Sequence, residues 1–123
     1  MQLKLLSGAY TVCKISDPAC IDWSGALTFL SKTPDELSLV CETALAPASA
    51  YAREDNWSAL RVEGVLEFSL IGILSAITAV LAQANISVFC VSTYDTDYVL
   101  VKQDKLSAAV SALSAAGYAF LDA

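Results

Sequence analysis

The spacing of apolar residues in the second half of the chain predicts strands and helices in alternation. Short apolar or alternating runs over residues 57–65, 86–92, 98–101 and 118–121 are typical of strands. Helical spacing predicts one helix over residues 69–84, ending at Asn85, and another that Asp104 begins and Gly117 ends. The order strand, helix, strand, strand, helix, strand is that of the ferredoxin-like βαββαβ arrangement, an α+β fold.

The first half is less regular. Strands are predicted over residues 3–6, 10–15, 26–33 and 37–42. Residues 17–20, where Pro18 fixes φ, are predicted to form a turn or a short helical turn, and residues 44–56 a connector. This half is short of helix. We therefore expect a reduced unit over residues 1–56 and a complete one over residues 57–123.

No charged residue lies between Phe68 and Tyr94, and a run of that length could span a bilayer. Within it, however, large apolar residues recur at helical spacing, and the opposite face is small or polar, with Gly72, Ser75, Ala76, Ala79 and Gln83. The run divides into a helix and a strand, so we predict no membrane span.

Composition removes several function classes. The 123 residues fit one domain or two very small units, and 56% of them are hydrophobic, which is ample for a core. The absence of histidine excludes Ser-His-Asp catalysis and histidine-bound zinc. The net charge of −6 repels phosphate backbones, which excludes nucleic acid as a partner.

The four cysteines show no Cys-x-x-Cys spacing, so no metal site is predicted. Cys13, Cys41 and Cys90 lie in apolar runs, where a free thiol acts as a small buried hydrophobe. Residues 1–7 lack the pattern of a secretory signal, and we expect a cytoplasmic location.

The predicted start of the first helix is one place where chemistry could occur. A helix N-terminus presents backbone N–H groups and a partial positive charge, so a carboxylate could bind at this junction. Alternatively, the serine merely caps the helix and the glycine relieves packing. The residues concerned are Ser69, Leu70, Ile71 and Gly72.

A second place is the acidic, hydroxyl-rich stretch after the uncharged run, which could hold an ammonium or guanidinium group. It also suits an ordinary hairpin turn, and a calcium loop fits badly because Val99 and Leu100 occupy ligand and glycine positions. The candidate residues are Thr93, Tyr94, Asp95, Thr96 and Asp97. A third place is residues 33–38, where Glu36 is a candidate, although this stretch could also be a tight turn with solvated carboxylates.

The segments Phe68-Ser69-Leu70-Ile71-Gly72, Asn85-Ile86-Ser87-Val88-Phe89 and Ser92-Thr93-Tyr94-Asp95-Thr96-Asp97 resemble the ACT domain. With residues 33–40 and 57–64 they are similar to a family of short stand-alone bacterial proteins with two ACT-like units. That family is related to aspartate kinase regulatory regions and the CASTOR arginine sensors. Ile71 departs from its relatives, which often have a polar residue there.

The resemblance implies a non-enzymatic regulatory module that binds an amino acid or similar zwitterion, without a cofactor, and that forms a homodimer and can serve a partner enzyme. Residues 69–72 would bind the α-carboxylate, and Thr93, Tyr94 and Asp97 the ammonium group or side chain. The rival interpretations are an assembly module that pairs through its sheet edges and an enzyme with Asp95, Asp97 or Glu36 as general base.

Overall fold

In the computed structural model, which describes residues 1–64 and 71–122, strands make up most of the regular structure. The strands are β1 (Gln2–Leu5), β2 (Tyr10–Ile15), β3 (Thr28–Lys32), β4 (Leu37–Glu42), β5 (Ala52–Val62), β6 (Phe89–Ser92), β7 (Asp97–Lys102) and β8 (Ala119–Asp122). The helices are α1 (Ile73–Gln83) and α2 (Leu106–Ala115), and 3-10 turns occupy Pro18–Cys20, Thr43–Leu45 and Gln103–Lys105.

The chain divides into two compact units. The N-terminal unit is Gly8–Trp57, and the C-terminal unit is Ser58–Ala123 together with Met1–Ser7. Residues 1–7 were expected in the N-terminal unit. They belong to the other one because β1 pairs antiparallel with the second half of β5 and parallel with β8.

The N-terminal unit has a sheet in the order β3-β4-β2-β5, with every pair antiparallel. This is the strand order of a ferredoxin-like sheet, but 3-10 turns stand where that fold has helices. Ile21, beside the first turn, and Ala46 and Ala50, after the second, pack on one sheet face against Cys13, Ile15, Leu39 and Cys41. Loops thus replace helices as the cover of this small core.

The C-terminal unit has the strand order β6-β7-β5-β1-β8. With β1 set aside, β5, α1, β6, β7, α2 and β8 form the predicted βαββαβ unit, and β1 is inserted between β5 and β8. Side chains of α1 and α2 pack on the sheet around a core that includes Leu60, Ile77, Leu81, Val99 and Leu113, each of which is at most 1% exposed. The predicted α+β fold class is confirmed.

Strand β5 contributes to both units, and it is irregular where they meet in sequence. The register between β2 and β5 shifts beside Thr11, and Asn56 adopts a left-handed φ of 69°. The Thr11 hydroxyl donates to Asp55 Oδ1 at 2.7 Å, and Arg53 Nη2 donates to the same oxygen at 2.9 Å. Side-chain hydrogen bonds therefore stabilise the chain at this register shift, which is a β-bulge.

Several predicted boundaries were wrong. Strand β5 begins at Ala52, inside the predicted connector, because backbone pairing with β2 holds its exposed polar residues. Asp104 does not cap α2; it lies in a 3-10 turn, and the N-cap position is occupied by Lys105. The ends at Asn85 and Gly117, by contrast, have the expected left-handed φ values of 61° and 100°.

Cysteine burial follows expectation in part: Cys13 and Cys41 are buried, whereas Cys90 is half-buried. Among the described residues, no group of three or more Cys, Asp or Glu side chains could hold a metal ion. No helix in the described ranges is both long and apolar enough to cross a membrane.

Candidate functional site

The described part of the predicted carboxylate site lies at the beginning of α1. Ser69 and Leu70 fall outside the described residues. Gly72 is the N-cap rather than a residue on the small face of the helix, because its φ of 80° is left-handed. That conformation favours glycine over any residue with a side chain.

Backbone donors converge at this helix end. The N–H of Ala76 bonds to the Gly72 carbonyl at 2.9 Å and begins the helical ladder. The N–H groups of residues 73–75 precede that ladder and have no acceptor within the helix. With the partial positive charge of the helix end, they suit a carboxylate.

A cleft of about 330 Å³ opens at the same place, wholly within the C-terminal unit. One wall is the start of α1 and another is the chain just after α2; the lining residues are Met1, Ile71, Gly72, Ile73, Ala76, Ala116, Gly117 and Tyr118. Ile71 stands at 94% exposure and Met1 at 54%. Apolar side chains and two helix ends therefore surround this space.

The end of α2 gives the cleft its second electrostatic pole. The N–H groups of Gly117 and Tyr118 bond to the Ser114 and Leu113 carbonyls, each at 3.0 Å, which closes α2 with the left-handed Gly117. The partial negative charge of this helix end lies across the cleft lining from the positive start of α1. A small molecule with a carboxylate and an ammonium group matches both poles.

The acidic stretch forms the β6–β7 hairpin. Thr93 N–H bonds to the Thr96 carbonyl at 2.9 Å, and Ser92 Oγ donates to Asp97 Oδ1 at 2.6 Å. Thr96 is buried, and its hydroxyl donates to the Val62 carbonyl at 2.7 Å, a contact within the fold. Tyr94 and Asp95 are exposed.

The structure does not gather the two predicted halves into one cavity. Ile71 and Gly72 line the cleft, but of the described residues that line it, none belongs to the hairpin 93–97. Glu36 is exposed in the turn between β3 and β4, where its carbonyl accepts the N–H of Thr33 at 3.0 Å.

Sequence reasoning did not assign the other lining residues to the site; these are Met1, Ile73, Ala76, Ala116, Gly117 and Tyr118. A signal for some of them was available. Two helices of a βαββαβ unit run antiparallel on one sheet face, so the predicted end of α2 at Gly117 belongs near the start of α1. The position of Met1 follows from the insertion of β1 beside β8, which the periodicity does not reveal.

The structure is therefore a ferredoxin-like module with a cleft at the ends of its two helices. A family model described as "ACT domain" matches residues 52–115, which is more than half of the sequence. The chain therefore belongs to the ACT domain family, as its motifs predicted. Domains of this family are non-catalytic regulatory modules that bind small ligands.

Solved structures share the fold over nearly the whole chain. A structural-genomics protein from Agrobacterium tumefaciens is 30% identical, with a TM-score of 0.88, over 99% of this chain and 92% of that one. The aspartate kinase of Synechocystis is 16% identical, with a TM-score of 0.71, over 98% of this chain and 27% of the enzyme.

The regulatory subunit of aspartate kinase from Thermus thermophilus is 12% identical, with a TM-score of 0.62, over 94% of this chain and 97% of that one. At 16% and 12% identity, the two kinase structures speak for the fold alone. No protein of curated function matches the sequence significantly.

Proposed function

We propose that this chain is a sensor for a free amino acid or a similar small zwitterion, bound in the cleft between the start of α1 and the end of α2. The observation that carries the proposal is the pairing of opposite helix ends around one cleft of about 330 Å³. The ligand's carboxylate binds the backbone N–H groups of residues 73–75, and its ammonium group lies toward the carbonyl end of α2.

The side chain of the ligand then lies against Met1, Ile73 and Tyr118, which supply apolar contact area. The sequence-based assignment of Thr93, Tyr94 and Asp97 to the ammonium group or side chain stays a prediction. These residues do not line the cleft.

The experiment is a thermal-shift screen of the full chain against the twenty amino acids at millimolar concentration. A ligand at about 100 times its dissociation constant adds about 2.7 kcal/mol to the free energy of unfolding. We expect one chemical group of amino acids to raise the melting temperature. If none of the twenty does so, the proposal is wrong.

A matched pair of variants assigns the site. Ala76 and Ala79 are both exposed on α1, but Ala76 lines the cleft and Ala79 does not. Leucine is a good helix former, so either substitution leaves the helix intact. Ala76→Leu fills the cleft and is expected to abolish the ligand-induced shift, whereas Ala79→Leu retains it. Equal shifts in both variants would place the ligand elsewhere.

We further propose that the protein acts in the cytoplasm as a homodimer and that ligand binding to it regulates a partner enzyme. The rival interpretation, a ligand-independent assembly module, draws support from β3, an edge strand of the N-terminal unit whose residues 30–32 are exposed. Sedimentation with and without the amino acid separates the two. A sensor changes its dimer constant with ligand, and the assembly module does not.

A further inference from the structure

Three of the four cysteines lie together in the core of the N-terminal unit. Cys13 on β2 and Cys41 on β4 are buried in it, and Cys20, in the 3-10 turn Pro18–Cys20, packs against it while half-exposed. Cys90 lies in the C-terminal unit. We call Cys13, Cys20 and Cys41 the thiol cluster.

The strand register argues against a bond between Cys13 and Cys41. Cys13 lies opposite Leu39, and Cys41 lies opposite Thr11, so the two cysteines are diagonal neighbours on adjacent strands. Such a diagonal separates the Cα atoms by about 7–8 Å, whereas a disulfide needs about 4.4–6.8 Å. The ladder of β2 and β4 holds them at that spacing.

Cys20 is less constrained. It belongs to a three-residue turn outside the sheet, whose backbone bonds are Cys20 N–H to the Asp17 carbonyl at 3.2 Å and Ile21 N–H to the Pro18 carbonyl at 3.1 Å. It is also the member of the cluster that solvent reaches. A small movement of this turn changes the position of the Cys20 sulfur without breaking a strand pair.

Cys20 packs against the core cluster in which Cys13 is buried. Burial raises the pKa of the Cys13 thiol, Arg53 opposes that rise, and the neighbouring Cys20 and Asp55 add to it. Arg53 faces Cys13 directly across the β2–β5 ladder. The Cys13 thiol therefore has both a second thiol and a guanidinium group within electrostatic range.

We propose that Cys13 and Cys20 are a redox-sensitive pair that a hydroperoxide converts into an intramolecular disulfide. In the first step the Cys20 thiolate attacks the hydroperoxide: an S–O bond forms, the O–O bond breaks, and the leaving oxygen takes up a proton. Cys20 becomes a sulfenic acid.

In the second step the sulfur of Cys13 attacks the sulfur of Cys20. The S–S bond forms, the S–O bond breaks, and the hydroxyl group leaves as water with the proton from Cys13. Two thiols are oxidised by two electrons, and hydrogen peroxide is reduced to two waters. The product ties the 3-10 turn to β2, and a dithiol reductant reverses it.

The test treats the full chain with hydrogen peroxide, blocks free thiols in denaturant, and digests with trypsin without reductant. Cleavage after Lys4, Lys14 and Lys32 puts Cys13, Cys20 and Cys41 on separate peptides. We expect peptide 5–14 linked to peptide 15–32, and two free thiols left per chain. A link from 5–14 to the Cys41 peptide, four remaining thiols, or linkage between two chains alone would overturn the proposal.

Three variants sharpen the assignment. Cys90→Ser is the matched control and is expected to give the same linked peptide as the unmodified sequence. Cys20→Ser, at a half-exposed position, is expected to keep its remaining three thiols. Cys13→Ala leaves the sulfenic acid of Cys20 without its partner, so a dimedone adduct at Cys20 is expected to accumulate. The mechanism is wrong if this adduct does not form in the Cys13→Ala variant and the unsubstituted chain gives no disulfide-linked peptide.

Discussion

The hairpin between β3 and β4 and the hairpin between β6 and β7 have the same architecture at positions sixty residues apart. In the first, residues 33–36, Thr33 N–H bonds to the Glu36 carbonyl at 3.0 Å; in the second, residues 93–96, Thr93 N–H bonds to the Thr96 carbonyl at 2.9 Å. Each threonine hydroxyl also accepts backbone N–H groups of its own turn. The strands that follow, β4 and β7, have the same burial pattern, and each leads into a 3-10 turn.

The two units differ in the segment that follows the 3-10 turn. In the C-terminal unit the 3-10 turn continues into α2, and two helices cover the sheet; in the N-terminal unit it leads into an irregular segment, and loops cover it. The comparison shows that the hairpin and its strand pair persist without the helical layer, whereas the cleft at the helix ends exists where both helices do. Fold and candidate site therefore depend on different parts of the unit.

The largest difference in unfolding free energy is expected between equivalent substitutions in the cores of the two units. Leu81 on α1 is fully buried among helix and strand side chains, whereas Leu39 on β4 has small loop residues among its neighbours. We expect Leu81→Ala to cost about 3–5 kcal/mol of unfolding free energy and Leu39→Ala about 2–3 kcal/mol, since a site that relaxes loses less. Urea unfolding measures both. A larger loss at Leu39 would refute the view that loops adjust more readily than helices.

The fourth residue of each hairpin gives a smaller contrast. Thr96→Val leaves the Val62 carbonyl without its 2.7 Å donor in a buried place, which should cost about 1–3 kcal/mol. Glu36 is exposed at the equivalent position, and Glu36→Ala should change stability by less than about 0.5 kcal/mol. Chemical denaturation of both variants measures the loss of unfolding free energy. Similar losses in the two variants would mean that the hairpins are more alike than their contacts indicate.

The first residue of each hairpin should behave more nearly alike. The Thr33 hydroxyl accepts the N–H groups of Asp35 and Glu36 at 3.2 and 3.1 Å, and that of Thr93 accepts the N–H of Thr96 at 3.4 Å. We expect Thr33→Val to cost about 1 kcal/mol and Thr93→Val somewhat less, because these turns are partly solvated. Thermal melts of the two variants provide the measurement, with the reverse order as the contradicting result.

The last difference, between Cys41 on β4 and Val101 on β7, affects stability only at alkaline pH. Burial raises the pKa of the Cys41 thiol to about 11 from its usual 9.0, whereas the equivalent position on β7 is Val101. Above pH 9 the unfolded thiol ionises while the folded one stays protonated, so stability falls as pH rises from 9 toward 11. Cys41→Val should reduce this fall and change stability little at pH 7. An unaltered pH profile would show that Tyr10, whose pKa burial also raises, or Cys13 dominates it.

Periodicity was sufficient for most of the fold. The limits of β2 and β4 were predicted to the residue, because their apolar side chains fill one core face in register. It failed where stability comes from distant backbone pairing, as in the polar residues 52–56 of β5, and where a 3-10 turn precedes a helix, as at Asp104. The repeat between the two hairpins was also missed, because Thr and Asp are all that their first three positions share.

The candidate site was less accessible to sequence reasoning. Gly72 and Ile71 were identified from a helix start, but Tyr118 and Met1 reach the cleft through the end of α2 and the insertion of β1. Those placements depend on topology rather than on local pattern. Ile71, the departure from its relatives, proves to be almost fully exposed at the cleft.

The parallel pairing of β1 with β8 bears on how the protein is made. The N-terminal unit is one continuous segment, so on the ribosome it can fold as soon as Trp57 has emerged. Strand β1 is synthesised before the N-terminal unit but cannot pair with β8 until β8 has been synthesised. This contact joins strands that are far apart in the sequence. Translation therefore completes the loop-covered unit before the cleft, which needs both Met1 and Tyr118.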